Sequence, residues 1–355
     1  MIFPEILGAA SPREVLARML LSGRVPHALL FHGPEGVGKR TVAERFAVSL
    51  LCESPGEDGA ACGRCAACRK AGHGNHPDLL VTTRLPKAAA KEAAADGDDE
   101  PETGEGGDLR AWIVVEQIRA LTEHAAYAPR EARSRVFLVD PADRMNPAAQ
   151  NALLKTLEEP PGRAVIILVA SRPHVLFPTV RSRCFQLGFP AMAPAALASA
   201  LAARGMPPVE AGARAALAEG RPGRALTLDL TAAAERRDAV LAMLESLTAS
   251  RDGLAGMPSF VDGLVGEEEA TMLEGLELVE ALLRDAARLA SGSRSVLHTD
   301  VASRLARLGG TLGFARAAEL STLADRLRSD LRFNVNKTLL AETLLAAVAG
   351  GPVPA

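Results

Sequence analysis

The chain has 355 residues, 48% of them hydrophobic and only 3% aromatic, with a formal net charge of −3. That length allows two or three domains with substantial cores, and the charge excludes a global basic surface for nucleic acid. No run of about eighteen apolar residues reads as a membrane span, and MIFPEILGAASPREVL lacks the basic start and apolar stretch of a secretory signal.

HALLFHG, from His27 to Gly33, is a short apolar run ending in glycine, and a helical stretch follows through Leu51. Gly33, Gly36, Gly38 and Lys39 lie in the pattern G-x-x-x-x-G-K between that strand and that helix. Such a loop aims backbone N–H groups at phosphate, adds the positive end of a helix, and lets lysine reach the outer phosphates. The next position, where a hydroxyl would coordinate Mg²⁺, is Arg40, a permanent cation with no lone pair for metal. Thr41 comes one residue late and points about 100° away around the helix. These residues favour a phosphate-loop shape without productive catalysis.

Cys52, Cys62, Cys65 and Cys68 follow within one short segment. In a chain without a leader, clustered thiols point to metal binding in a cytoplasmic setting rather than to disulfides. Four thiolates complete a tetrahedral structural zinc shell, and the two-residue gaps let neighbouring sulfurs converge on one ion. His73 and His76 are competing ligand candidates in a cysteine module spanning about 52–76. From Lys87 to Asp108 the sequence holds eight acids, two lysines and no large apolar residue, which predicts a disordered acidic insertion.

SRVFLVD predicts a strand ending on Asp140, a carboxylate suited to holding Mg²⁺ through water. Pro141 follows, where related ATPases place a glutamate to polarise the attacking water, and proline cannot accept a proton. Asp143 is close by in sequence, without an assigned role. The helical PAAQNALLKTLEE and the strand AVIILVAS come next, and strand–helix alternation at this spacing predicts a parallel α/β sheet. PTVRSRCFQL places Arg181 and Arg183 in a loop before a short strand. Two readings stay open for them: surface arginines in ordinary salt bridges, or a guanidinium inserted beside a neighbour's nucleotide. Cys184 reads as a packed small apolar residue. Beyond Phe189 apolar residues recur at three- and four-residue spacing, including APAALASALAARG, VEAGARAALAEG, ALTLDLTAAAERRDAVLAMLESL and a last block from Met257 to Val348.

Taken together, GPEGVGK, the four cysteines, NHPDLL, NALLKTLEEPP and Ser182-Arg183-Cys184 resemble the bacterial AAA+ clamp-loader subunits, over roughly residues 24–190. The resemblance implies an α/β AAA+ P-loop domain over 1–188, a small helical lid over 189–245 and an all-α collar over 246–355. It implies a ring that loads a sliding clamp onto primed DNA, with tau/gamma motor subunits and a delta subunit as partners. By the same resemblance Arg183 is an arginine finger acting in trans and Ser171 stands at the sensor-1 position. Gly223 stands where motor subunits carry a sensor-2 arginine, with Arg224 one place off. Arg40, Pro141 and Gly223 each remove a group used in hydrolysis, so a stator without intrinsic ATPase activity is expected, with Gly33, Gly36, Gly38, Lys39, Thr41, Asp140 and Ser171 as a degenerate nucleotide site. The retained Lys39 leaves binding of ATP and Mg²⁺ open. The rival readings are an ATP-hydrolysing motor or replication-repair ATPase, and a zinc module binding DNA.

Overall fold

The computed structural model describes residues 2–85, 112–249, 257–265, 269–293, 296–331 and 335–353. The acidic segment 87–108 lies outside them. The chain divides into two compact units, Met1–Met206 with Gly220–Leu226, and Pro207–Glu219 with Thr227–Ala355.

In the first unit, β1 (Ala28–His32), β2 (Leu79–Thr82), β3 (Arg135–Val139), β4 (Ala164–Ala170) and β5 (Phe185–Gly188) form one sheet in the order β2-β3-β4-β1-β5. Every pairing is parallel. The central strands are continuous apolar runs because helices cover both faces, as parallel sheets require. On one face Leu29, Phe31, Val136, Leu138 and Ile167 pack with residues of α1 (Ala10–Ser22) and α2 (Lys39–Leu51). A short α3 (Ala66–Gly72) follows α2. On the other face Leu30, Phe137, Ile166 and Leu168 pack with α4 (Val115–Ala125) and α5 (Pro147–Glu158). Helix α5 starts where the sequence directs it: the Asn146 side chain accepts from Ala149 N at 2.8 Å, and Pro147 occupies the first turn. The strands run parallel, so the residues following β1, β3 and β4 emerge at one sheet edge. The loop 33–38, Asp140 and Ser171 are brought together there, the usual place for a ligand in such a sheet.

One local expectation is corrected. Arg181 lies in a short helix, α6 (Pro178–Ser182), and Arg183 is its C-terminal cap, where a loop was expected. Pro178 at the first turn presets the helical φ, which outweighs the loop-like composition. Further on come α7 (Pro194–Ala202), α8 (Pro208–Leu217) and α9 (Pro222–Thr227). The run 225–247 is not one helix, because Asp229 intervenes and its carboxylate accepts from Thr231 N and Ala232 N to start α10 (Leu230–Ala249).

The second unit packs α10 with α11 (Met257–Val265), α12 (Glu269–Ala290), α13 (Ala302–Leu312), α14 (Phe314–Asp330) and α15 (Lys337–Val348) around Leu244, Leu276, Leu282, Leu305, Leu320 and Leu344. The buried Asp285 accepts from Leu297 N, His298 N and His298 Nδ1, which ties α12 to the segment preceding α13. Burial pushes its carboxyl up, but these donors outweigh that and hold it below the ordinary carboxylate range. Among the described residues no helix is long and apolar enough to cross a membrane.

Helices α12 and α13 meet at Gly309, where a Cβ would stand 2.3 Å from Ala286 O, while Gly310 next to it faces open space. Gly309→Ala is therefore expected to destabilise by ~1–3 kcal/mol through overpacking. Gly310→Ala is expected to stabilise by up to ~1 kcal/mol through helix propensity. Urea unfolding of the two variants beside the parent checks the opposite signs.

Candidate phosphate-loop site and cysteine cluster

Gly33, Gly36 and Gly38 all hold positive φ, so the loop between β1 and α2 takes the turn that non-glycine residues resist. Its lysine does not point outward. Lys39 is 6% exposed, and its ammonium donates to Gly33 O at 2.6 Å, Pro34 O at 2.7 Å and Ser171 Oγ at 3.1 Å. Burial pulls the Lys39 pKa down, against the attraction of Asp143, Glu35 and Asp140. The end of β4 thus brings Ser171 to the lysine.

Arg40 reaches the end of β3. Its Nη1 lies 3.1 Å from Asp140 Oδ2 and its Nε 2.8 Å from Glu44 Oε1. Burial leaves the Asp140 carboxyl above its ordinary range, although Arg40 and Lys39 pull it down. Thr41 is exposed on α2. Pro141 leads into a 3₁₀ turn, Ala142–Arg144, and carries no proton acceptor beside the loop.

The role of Asp143 was not legible from sequence. It is 3% exposed and accepts from Ser171 N at 3.3 Å and Arg172 N at 3.2 Å, with Arg172 Nε at 3.6 Å. It thereby fixes the end of β4, where Ser171 meets Lys39. The loop is also covered from above: Gly223 N donates to Gly36 O at 2.7 Å, and a Cβ on Gly223 would come within 2.9 Å of that oxygen. A side chain at 223 would need this contact to open.

Arg183 stands apart from the loop. Its Nη1 donates to Thr179 O at 3.0 Å, and its Nη2 pairs with Glu158 Oε1 at 2.7 Å with both side chains partly exposed. Cys184 is buried, which drives its thiol up to about 12 and suits packing rather than nucleophilic chemistry.

The four cysteines converge. Cys52 caps α2, Cys65 caps the start of α3, Cys68 lies in α3, and the four sulfurs lie within 4.8 Å of one another. Cys52 and Cys65 are 3.9 Å apart, Cys62 and Cys68 4.0 Å. Thiolates sharing one tetrahedral ion with ~2.3 Å bonds stand about 3.8 Å apart, far from the ~2.05 Å of a disulfide. Backbone N–H groups of Cys62, Cys65 and Cys68 donate to the sulfurs of Cys52, Cys62 and Cys65. Such donors favour thiolate, and at Cys62 those from Arg64 and Cys65 bring the pKa to about 6, while burial raises Cys68 to about 12. The set can hold a metal ion. Among the described residues the group of converging ligand atoms consists of these four cysteines and includes neither His73 nor His76.

A parallel sheet in this strand order, with a G-x-x-x-x-G-K loop and an acid-ended strand at one edge, defines a P-loop α/β core followed by helices. The family model described as DNA polymerase III, delta subunit matches residues 9–193. That is more than half of the chain, and the chain belongs to this family. The DNA polymerase III subunit delta' of Pseudomonas aeruginosa is 40% identical over 172 residues, 48% of this chain and 45% of that protein. Subunit tau of Escherichia coli is 33% identical over 190 residues, 54% of this chain and 26% of its own length. The chain thus spans less than half the length of these curated relatives. A Thermotoga maritima DNA polymerase III gamma subunit-related protein aligns over 95% of this chain and 98% of its own, at 16% identity and a TM-score of 0.33.

Two side chains of the site, Asp143 and Arg40, carry different weights. Asp143→Ala strands two backbone donors and the Arg172 cation, and is expected to destabilise by ~2–4 kcal/mol. Arg40→Ala removes a half-exposed guanidinium and its two pairs, with Glu44 and Asp140, and is expected to cost under ~1 kcal/mol. Chemical denaturation of both variants measures the difference.

Proposed function

We propose that the chain is a clamp-loader stator, a delta'-type subunit that helps load a sliding clamp onto primed DNA without hydrolysing ATP itself. The pairing of Arg40 with Asp140 carries this reading: a fixed guanidinium sits on the carboxylate that a catalytic Mg²⁺ would need. Pro141 removes the base beside it, and the Lys39 ammonium is already satisfied by the loop. Gly33, Gly36, Gly38, Lys39, Thr41, Asp140 and Ser171 form on this reading a degenerate nucleotide site. The family and the tau and delta' relatives support a place among clamp-loader subunits, with tau/gamma motors and delta as neighbours. The domain division at 188 and 245 belongs to the same reading.

Arg183 is the chain's contribution to chemistry, as an arginine finger beside a neighbouring motor's nucleotide. Its pairing with Glu158 is partly solvent-exposed and therefore weak enough to exchange for a phosphate. In a reconstituted complex, Arg183→Ala is expected to leave assembly intact while DNA- and clamp-stimulated ATPase falls at least about tenfold, since such a finger is worth ~10³ or more at its own site. Undiminished stimulation contradicts the assignment.

The ion that fits the four cysteines is zinc, in a structural role, because four protein thiolates leave no open position for substrate. The purified chain is expected to carry about one zinc per molecule, and Cys65→Ser is expected to lose it together with several degrees of melting temperature. Metal analysis and thermal melts check both.

A further inference from the structure

The NHPDLL segment does something that the phosphate loop and the cysteines do not use. Asp78, with no exposure, accepts from the backbone N–H groups of Arg130 at 2.7 Å, Glu131 at 2.7 Å and Ala132 at 2.9 Å, and from Arg135 Nε at 3.3 Å. Arg135 Nη1 in turn donates to His124 O. His76 braces this arrangement, since its buried Nδ1 accepts from Asp78 N at 3.0 Å. One buried ion pair therefore clamps both ends of the connection between α4 and β3, and holds residues 125–132 in a fixed shape.

The connection forms one wall of a cleft of about 490 Å³, at the sheet edge opposite the phosphate loop. Pro129 and the flanking alanines stand on one side, and Pro161 and Gly162 on the other. Tyr127 lies on its rim, 70% exposed, and Arg133 and Arg163 also line it. Both arginines are exposed, and among the described residues neither side chain is in an ion pair. The nearby acid Glu131 is already taken by Lys70 at 2.6 Å. The cleft therefore presents a small-residue apolar floor, one exposed aromatic ring and two uncompensated cations on a backbone fixed in advance.

We propose that this cleft docks an acidic segment of a partner protein, with an apolar side chain on the floor against Tyr127 and carboxylates on Arg133 and Arg163. Arginine pairs with carboxylate through a two-pronged hydrogen bond, and tyrosine and arginine are the residues that dominate protein–protein affinity. A fixed backbone lowers the entropy lost on docking. A nucleic-acid strand fits less well. It would need successive aromatic platforms and a row of cations tracking the backbone, and here a single ring meets a floor of alanine, proline and glycine. The proposal stands apart from the stator reading, because it rests on a different edge of the sheet.

The test uses the full chain. A random dodecapeptide library is panned against it, and the selected peptides are then measured on the doubly charge-reversed variant Arg133→Glu, Arg163→Glu, whose fold is first checked by circular dichroism. Tyr127 is the chain's only tyrosine, so fluorotyrosine labelling gives one ¹⁹F resonance reporting on the cleft. The expected result is enrichment of peptides with acids around an apolar residue. These should move that resonance and bind at least about tenfold more weakly to the charge-reversed variant. Enrichment without acidic bias, equal binding to the variant, or an unmoved resonance overturns the proposal. Oligothymidylate moving the resonance at lower concentration than any selected peptide overturns it in favour of nucleic acid. Tyr127→Ala, an exposed change with little effect on folding, should weaken the selected peptides too.

Discussion

Everything at the ligand edge of the sheet depends on where two adjacent cations, Lys39 and Arg40, find their partners. Lys39 is satisfied inward, its ammonium donating to two carbonyls of its own loop and to Ser171, with the acids Asp143, Glu35 and Asp140 near it. Arg40 is neutralised sideways, by Asp140 and Glu44. A divalent cation would have to displace a guanidinium to reach Asp140, and hard cations bind oxygen, not nitrogen cations. Both cations at this edge thus find their partners within the chain itself. Gly223 adds a backbone bond to Gly36 from above, so the loop is held on three sides by protein.

That closure suits a component whose shape does not follow a nucleotide cycle. In a motor, phosphate and metal hold the loop in one state and release it in the next. Here the corresponding ties are a lysine, an arginine and a backbone hydrogen bond, none of which is consumed. The group proposed to act on chemistry, Arg183, is placed elsewhere, at the end of a five-residue helix and in a pair that solvent already weakens. Rigidity at the loop and availability at the arginine are thus served by separate residues.

The parts legible in the sequence were those written locally. Strand runs, the loop pattern with Arg40 and Pro141 in it, and the cysteine spacing each lie within a few residues, and each has its counterpart in the structure. The parts that were not legible depend on pairings across long separations. Asp143 faces the end of β4, Asp78 gathers donors more than fifty residues downstream, and Glu158 meets Arg183. No periodicity announces such partners. Short-range chemistry also misled where two local signals competed, as with Pro178 starting a helix in a loop-like stretch and Asp229 breaking a helix-like one.

The most direct measurement is a calorimetric titration of Mg-ATP into the purified chain, with phosphate release followed on the same sample. A core closed by its own cations predicts absent or weak binding and no turnover, with Arg40→Thr required before any magnesium dependence emerges. Tight binding with turnover that Lys39→Ala abolishes would contradict it, and would make this chain a motor.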